Sequence, residues 1–274
     1  MTRAWKQWTL ALLACLAVLI LSRIHYGSLR HGSPTLTAQL PAPTMQHEPL
    51  TMLWAWETPE DFTTLDPTKV GVAFLSRELL LGQSVQIRLR RQPLLLAHDT
   101  WLMAVIRIET APDFTSNPHI VAETAREIVV AAQQPNVRAL QVDFDATASQ
   151  RAFYTAVLQQ LRPQLPPNIP LSITALVSWC GDSGWLHLLP IDEAVPMFFR
   201  MGGPAAIRAI RPKNAALVRE PVCSGSVGIS TDETWPAIHS RQRVYVFHPG
   251  SWTQRQLAQV NALGYQGLKG NPPQ

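Results

Sequence analysis

The chain has 274 residues, of which 46% are hydrophobic and 15% charged, with 9 Trp and a formal net charge of +4. So few charges beside so many Trp exclude a disordered chain. Part of the mild positive balance lies near the N-terminus, so it does not argue for nucleic acid. With no zinc-like Cys/His spacing and no Gly-rich phosphate loop, no cofactor and no metal is expected.

The first element is Trp5–Ile24. Arg3 and Lys6 precede an apolar run, Leu10–Leu21, that contains no charge, Gly or Pro. A soluble amphipathic helix would need a polar face, which this run lacks. The run is short beside the roughly 20 residues of a spanning helix, but Trp5, Trp8 and Ile24 extend it. An uncleaved anchor in residues 1–25 places the remaining domain in the periplasm or cell exterior. The rival is a cleaved signal peptide, though no small-x-small site follows the run. Residues 26–49 carry Pro, Gly, Thr and Gln without periodicity and read as a tether. Residues 50–270 suit one domain.

Eight short β-branched or apolar runs follow: Thr51–Trp56, Val70–Leu75, Trp101–Ile108, Val137–Phe144, Leu171–Leu176, Ala194–Phe199, Ser226–Ile229 and Arg243–Phe247. They are nearly continuous in apolar character, as strands buried on both faces are. Asn117-Pro118 predicts a helix start running to about Gln133, and Ala146–Leu161 follows the next strand. Pro204–Ile210, Thr234–Ser240 and Thr253–Leu263 are shorter helix expectations. Val85–Arg90 reads as an extra strand in a hairpin with Pro93–Ala97. Strands alternating with helices favour a parallel sheet, and eight of them predict an α/β fold, a (β/α)8 TIM-like barrel. The domain is a little below the roughly 250 residues usual for that fold, so some crossovers must be degenerate. An open α/β sheet is the runner-up.

Barrel chemistry comes from the C-terminal ends of strands. Val142-Asp143-Phe144-Asp145 ends the fourth run, and alternation puts Asp143 and Asp145 on one side, ~7 Å apart along the strand. Two such carboxylates in a low-water pocket split their proton affinities, which suits acid/base chemistry or glycoside hydrolysis. Their structural alternative is a helix cap near Ala146 and an ion pair with Arg107. Glu57 and Glu109 are the further catalytic carboxylates, with a loop cap and an Arg107 pair as their structural alternatives. Trp56, Arg107, Trp179, Asp182, Trp185 and His248 sit at strand ends or in the loops beyond and form the expected substrate-binding set. Indole faces stack on sugar rings, although Trp also packs cores and rims. Cys180 and Cys223 follow strand ends on the same rim, and export permits a disulfide between them; two buried free thiols are the alternative.

The chain resembles the bacterial DUF3142 family of exported, glycoside-hydrolase-like proteins. The likeness rests on Leu53-Trp54-Ala55-Trp56-Glu57, Val105-Ile106-Arg107-Ile108-Glu109, Leu140-Gln141-Val142-Asp143-Phe144-Asp145-Ala146 and Leu171-Ser172-Ile173-Thr174-Ala175-Leu176. It implies a barrel and a carbohydrate role, with no catalytic assignment to carry over. The acidic pair also resembles the Asp-rich fourth strand of chitinase-like barrels, where a catalytic Glu stands two residues after the last Asp. Here that position is Thr147. The expected function is hydrolysis of a cell-envelope polysaccharide or oligosaccharide; the alternative is a non-catalytic carbohydrate-binding or scaffold barrel.

Overall fold

The computed structural model describes residues 45, 48–182, 184–200 and 218–269. The Trp5–Ile24 segment, most of the tether, the helix expected over Pro204–Ile210 and the side chain of Asp182 lie outside them. Among the described residues, no helix is long and apolar enough to cross a membrane.

In chain order the strands are β1 (Thr51–Ala55), β2 (Glu60–Phe62), β3 (Val70–Leu81), β4 (Val85–Leu89), β5 (Leu94–Leu96), β6 (Trp101–Thr110), β7 (Val137–Asp143), β8 (Leu171–Leu176), β9 (Glu193–Met197), β10 (Ser226–Ser230) and β11 (Arg243–Phe247). Eight of them run parallel in the order β1-β11-β10-β9-β8-β7-β6-β3, and β3 pairs with β1 to close a TIM-like barrel. All eight apolar runs of the sequence are barrel strands. Backbone pairing on both sides and helices outside leave each strand little contact with water, so it must be apolar almost throughout.

The helices are α1 (Pro118–Ala132), α2 (Arg151–Leu161), the short α3 (Trp179–Asp182) and α4 (Gln254–Leu263). Asn117 caps α1, its side chain accepting from the His119 and Ile120 amides at 3.0 Å, with Pro118 in the first turn. Such a cap is worth about 1 kcal/mol. Ile120, Ala125 and Ile128 of α1 and Phe153, Val157 and Leu161 of α2 bury one apolar cluster against β6–β8. Leu257 and Val260 of α4 join a second, against β1 and β11. A third cluster fills the barrel interior, with Met52, Trp54, Met103 and Tyr245 at its centre.

Two expectations need correction. Val85–Arg90 does not pair with Pro93–Ala97. β4 instead lies antiparallel to the far half of β3, Leu81 opposite Val85, and β5 forms a small parallel sheet with β2. A register shift between Leu75 and Arg77 marks where β3 leaves the barrel rim to make this hairpin. Thr234–Ser240 is a loop, not a helix. Pro236 lacks an N–H to donate, and Trp235 and Ile238 pack on the outer core from the loop.

At the N-terminal end of the barrel the chain enters through residues that read as tether. The Arg243 side chain donates to the Pro49 carbonyl at 3.2 Å and to that of Met45, and its Nε stands 3.4 Å from Glu48. From Arg243 a buried chain of hydrogen bonds climbs the interior. Arg243 Nη1 donates to Glu193 at 2.8 Å, Ser172 to Glu193 at 2.9 Å, Gln141 to Ser172 at 3.1 Å, and Trp54 Nε1 to Gln141 at 2.8 Å. Each partner satisfies a polar group that burial would otherwise penalise. The chain ends by fixing the indole of Trp54, the floor of the site described next.

Candidate functional site

A cavity of about 870 Å³ opens at the C-terminal ends of the barrel strands. Trp54 forms its floor, and it can lie there because Gly228 of β10 has no side chain: a Cβ would stand 3.0 Å from the indole ring. Phe199, after β9, and Phe247, at the end of β11, stack with centroids 5.6 Å apart and planes 5° from parallel, forming one wall. Trp56 lies at the rim, with the Arg107 guanidinium 5.7 Å from its ring centroid. The site thus combines aromatic faces with a small number of polar groups.

Asp143, the last residue of β7, is 3% exposed. Arg107 Nη1 donates to one of its oxygens at 2.7 Å and Thr174 Oγ1 to the other at 2.7 Å. Both oxygens accept bonds, so this carboxylate is fixed in orientation. The Arg107 side chain is 35% exposed, and its Nε donates to Glu109 at 2.9 Å. Burial alone would lower the Arg107 pKa, but Asp143 and Glu109 outweigh it and hold it above its usual value.

Asp145 differs. Beyond β7 the chain folds into a three-residue turn, closed by the Ala146 amide on the Phe144 carbonyl at 2.8 Å. Phe144 goes into the core and Asp145, at the centre of the turn, lines the cavity. It does not cap the following helix. Thr147 instead starts the single 3-10 turn, Ala148–Gln150, that leads into α2, through a capping box with Gln150. The side chain is exposed on its open side, but the cavity wall behind it raises its pKa by burial. The Asp143 charge adds to that rise, and Arg107 opposes it. No hydrogen bond holds the Asp145 carboxyl among the described residues.

His248 lines the cavity directly after β11, half-buried. Thr231 Oγ1 lies 2.6 Å from its Nδ1, and its ring packs 5.1 Å from that of Trp252. Burial lowers its pKa and Asp232 partly opposes the shift.

Other expected site residues are placed elsewhere. Glu57 is at the centre of a similar tight turn, closed by Thr58 on Trp56 at 2.8 Å. The turn throws it away from the cavity, and its carboxylate accepts from the Arg91 and Gln92 amides at 2.8 and 3.2 Å. Glu109 supports Arg107 from outside the cavity lining. Trp179 and Trp185 are core residues, edge-to-face at 5.1 Å, with Trp185 Nε1 donating to Thr155 at 3.0 Å. They stand close to the cavity in sequence, but their rings are buried in the layer outside the barrel. Cys180 and Cys223 form a disulfide, both buried. It ties α3 to the turn before β10.

Sequence reading missed Thr174, Thr231, and Phe199 and Phe247 as a pair. Thr174 lies between Ile173 and Ala175 on a buried strand, and only the strand register would have aimed it at Asp143. The two Phe were legible as strand-end residues, but their stacking depends on neighbours brought together by β9 and β11.

Among the described residues, no group of three or more His, Cys, Asp or Glu side chains is placed to hold a metal ion. No curated protein and no solved structure matches the chain. Residues 99–204 match the family model of DUF3142, a domain of unknown function. That stretch runs from β6 past β9 and holds Arg107, Asp143, Asp145 and Thr174, while the Trp54-to-Glu57 motif lies before it. Over residues 99–204, therefore, this chain is similar to the DUF3142 family model.

Proposed function

We propose that the barrel is a hydrolase acting on cell-envelope polysaccharide or oligosaccharide, with Asp145 as its general acid. The observation that carries this reading is the pairing of two unlike carboxyls in one aromatic-walled cavity. Asp143 has both oxygens occupied, so it serves as an immobile polar group beside the reacting centre. Asp145 has no fixed partner among the described residues and a pKa raised by burial and by Asp143, so it is the one to hold and deliver a proton. Phe199, Phe247 and Trp56 offer faces for the apolar sides of sugar rings. Arg107 orients Asp143 and presents its remaining donor surface to substrate hydroxyls.

The proposal includes location. An N-terminal anchor over residues 1–25 and a tether over 26–49 would hold the 50–270 domain at the inner membrane, facing the periplasm or exterior; signal cleavage would release it. The Cys180–Cys223 disulfide supports an oxidising compartment.

The test is turnover. The purified domain should release reducing ends from one or more envelope polysaccharides, or phenol from aryl glycosides. Asp145→Asn should lower that rate roughly 10²–10⁴-fold while leaving thermal stability within a few degrees. A wild-type rate in Asp145→Asn would remove the residue from catalysis. A second reading, a non-catalytic glycan-binding barrel, is favoured by one observation. Among the described residues no second carboxylate lines the cavity opposite β7. It predicts glycan binding that survives Asp145→Asn, with no turnover in wild type.

A further inference from the structure

The closed strand order puts β7 and β11 four positions apart in either direction round the barrel. Their C-terminal ends therefore face each other across the mouth. β7 delivers Asp143 and Asp145, β11 runs directly into His248, and all three line one cavity. Retaining and inverting glycosidases both need a second group opposite the acid. Glu57 and Glu109 do not stand there. His248 does.

The imidazole is held for a directed role. Its Nδ1 engages Thr231, and Thr231 is itself pinned by its amide, which donates to the Phe247 carbonyl at 2.9 Å. Trp252 packs against the ring. Nε2 is the nitrogen that has no protein partner among the described residues. When Nδ1 carries the proton and donates it to Thr231 Oγ1, Nε2 presents a lone pair. The charged groups around it are Asp232 on the loop after β10, Arg200 beyond β9, 3.8 Å from Asp232, and Asp143, Asp145 and Arg107 across the mouth. Burial favours the neutral ring.

We propose that His248 is the general base of a single-displacement hydrolysis, its Nε2 taking a proton from the attacking water while Asp145 protonates the departing oxygen. The proposal rests on the hydrolase reading above. The water oxygen bonds to the anomeric carbon as the glycosidic C–O bond breaks. The bonding pair leaves with the aglycone oxygen, which receives the Asp145 proton, and the water proton goes to His248. Solvent then resets both groups. Attack from the face opposite the leaving group inverts the anomeric configuration. Thr231 acts through His248 as a positioning residue.

The experiment uses paired aryl glycosides, 2,4-dinitrophenyl and phenyl, of each common sugar. Product configuration is read by proton NMR at early times. Inverted product is expected. Asp145→Asn should be impaired on the phenyl glycoside and near wild type on the dinitrophenyl one, whose leaving group needs no proton. His248→Gln should lose roughly 10²–10⁴-fold on both, because water must be activated in each case. In His248→Gly, added imidazole should restore turnover, a readout that a loss of folding would not give. Thr231→Val should displace the acidic limb of the pH profile and Thr231→Ser should restore it. A wild-type rate for His248→Gln on the dinitrophenyl glycoside, or product of retained configuration, overturns the base while leaving the hydrolase reading intact. A wild-type protein inert on every glycoside and envelope polysaccharide removes the hydrolase reading, and the base with it.

Discussion

At the N-terminal end of the barrel, Arg243 donates to Glu193 at 2.8 Å and its Nε stands 3.4 Å from Glu48; at the C-terminal end, Arg107 donates to Asp143 at 2.7 Å and to Glu109 at 2.9 Å. Each cluster is one guanidinium between two carboxylates, but their surroundings differ. Below, Ser172 and Tyr245 both donate to Glu193, at 2.9 and 2.8 Å, and the Pro49 and Met45 carbonyls take further Arg243 donors. Arg243, Glu193 and Glu48 are all buried. Above, Arg107 is a third exposed and a further carboxyl, Asp145, lies beside the pair without a fixed partner. In the lower cluster Arg243 and Glu193 direct their hydrogen bonds to closing the barrel floor and anchoring the incoming chain, while the Glu48 carboxyl is buried there without a hydrogen bond. The upper one keeps capacity open to a cavity. The same ion-pair chemistry is structural where it is dry and enclosed, and open to a ligand where water reaches it.

The largest expected effect breaks the lower cluster. Arg243→Met leaves Glu193 buried without its cation and should cost ~3–5 kcal/mol in denaturant unfolding. A loss below ~1 kcal/mol would show that the floor does not depend on this pair.

Next comes a pH dependence set by Glu48 at the lower end. Burial, opposed by Arg243 and reinforced by Glu193 and Asp192, lifts the Glu48 pKa from 4.5 to about 8. The folded state then binds a proton that the unfolded state has released, so stability falls as pH rises from about 4.5 through about 8. The fall should be roughly 1.4 kcal/mol per pH unit between those two values, and Glu48→Gln should flatten it. A slope unchanged in that variant would assign the effect to another group.

The smallest stability effect is expected above. Arg107→Met should cost only ~1–2 kcal/mol, because water reaches the guanidinium and Thr174 still holds Asp143. Activity should fall much further, since Asp143 is held at one oxygen only and its charge acts on Asp145 without Arg107 to oppose it. Equal stability losses at the two ends would erase the contrast.

The fold was legible in particular stretches. Leu171–Leu176 and Arg243–Phe247 coincide with β8 and β11 because an apolar run bounded by polar or Pro residues has few other ways to be buried. Asn117-Pro118 announced α1 through local capping chemistry. The Thr234–Ser240 reading failed because helix propensity was weighed without the Pro within it. The Val85–Arg90 pairing failed because β3 runs past the rim, which only its neighbours decide.

Of the site, sequence alone determined the strand-end acids, the Arg107 partnership and the rim position of His248, since alternation and strand ends are local properties. Tertiary structure decided the rest. Two tight turns of the same kind send Asp145 into the cavity and Glu57 away from it, and local alternation cannot distinguish them. Barrel closure sets β11 opposite β7, so the group facing the acids is an imidazole 105 positions beyond Asp143, counting from 143 to 248. Which side chains meet across a closed sheet depends on the order in which strands pair. That order is chosen by burying every strand at once, not by any one segment.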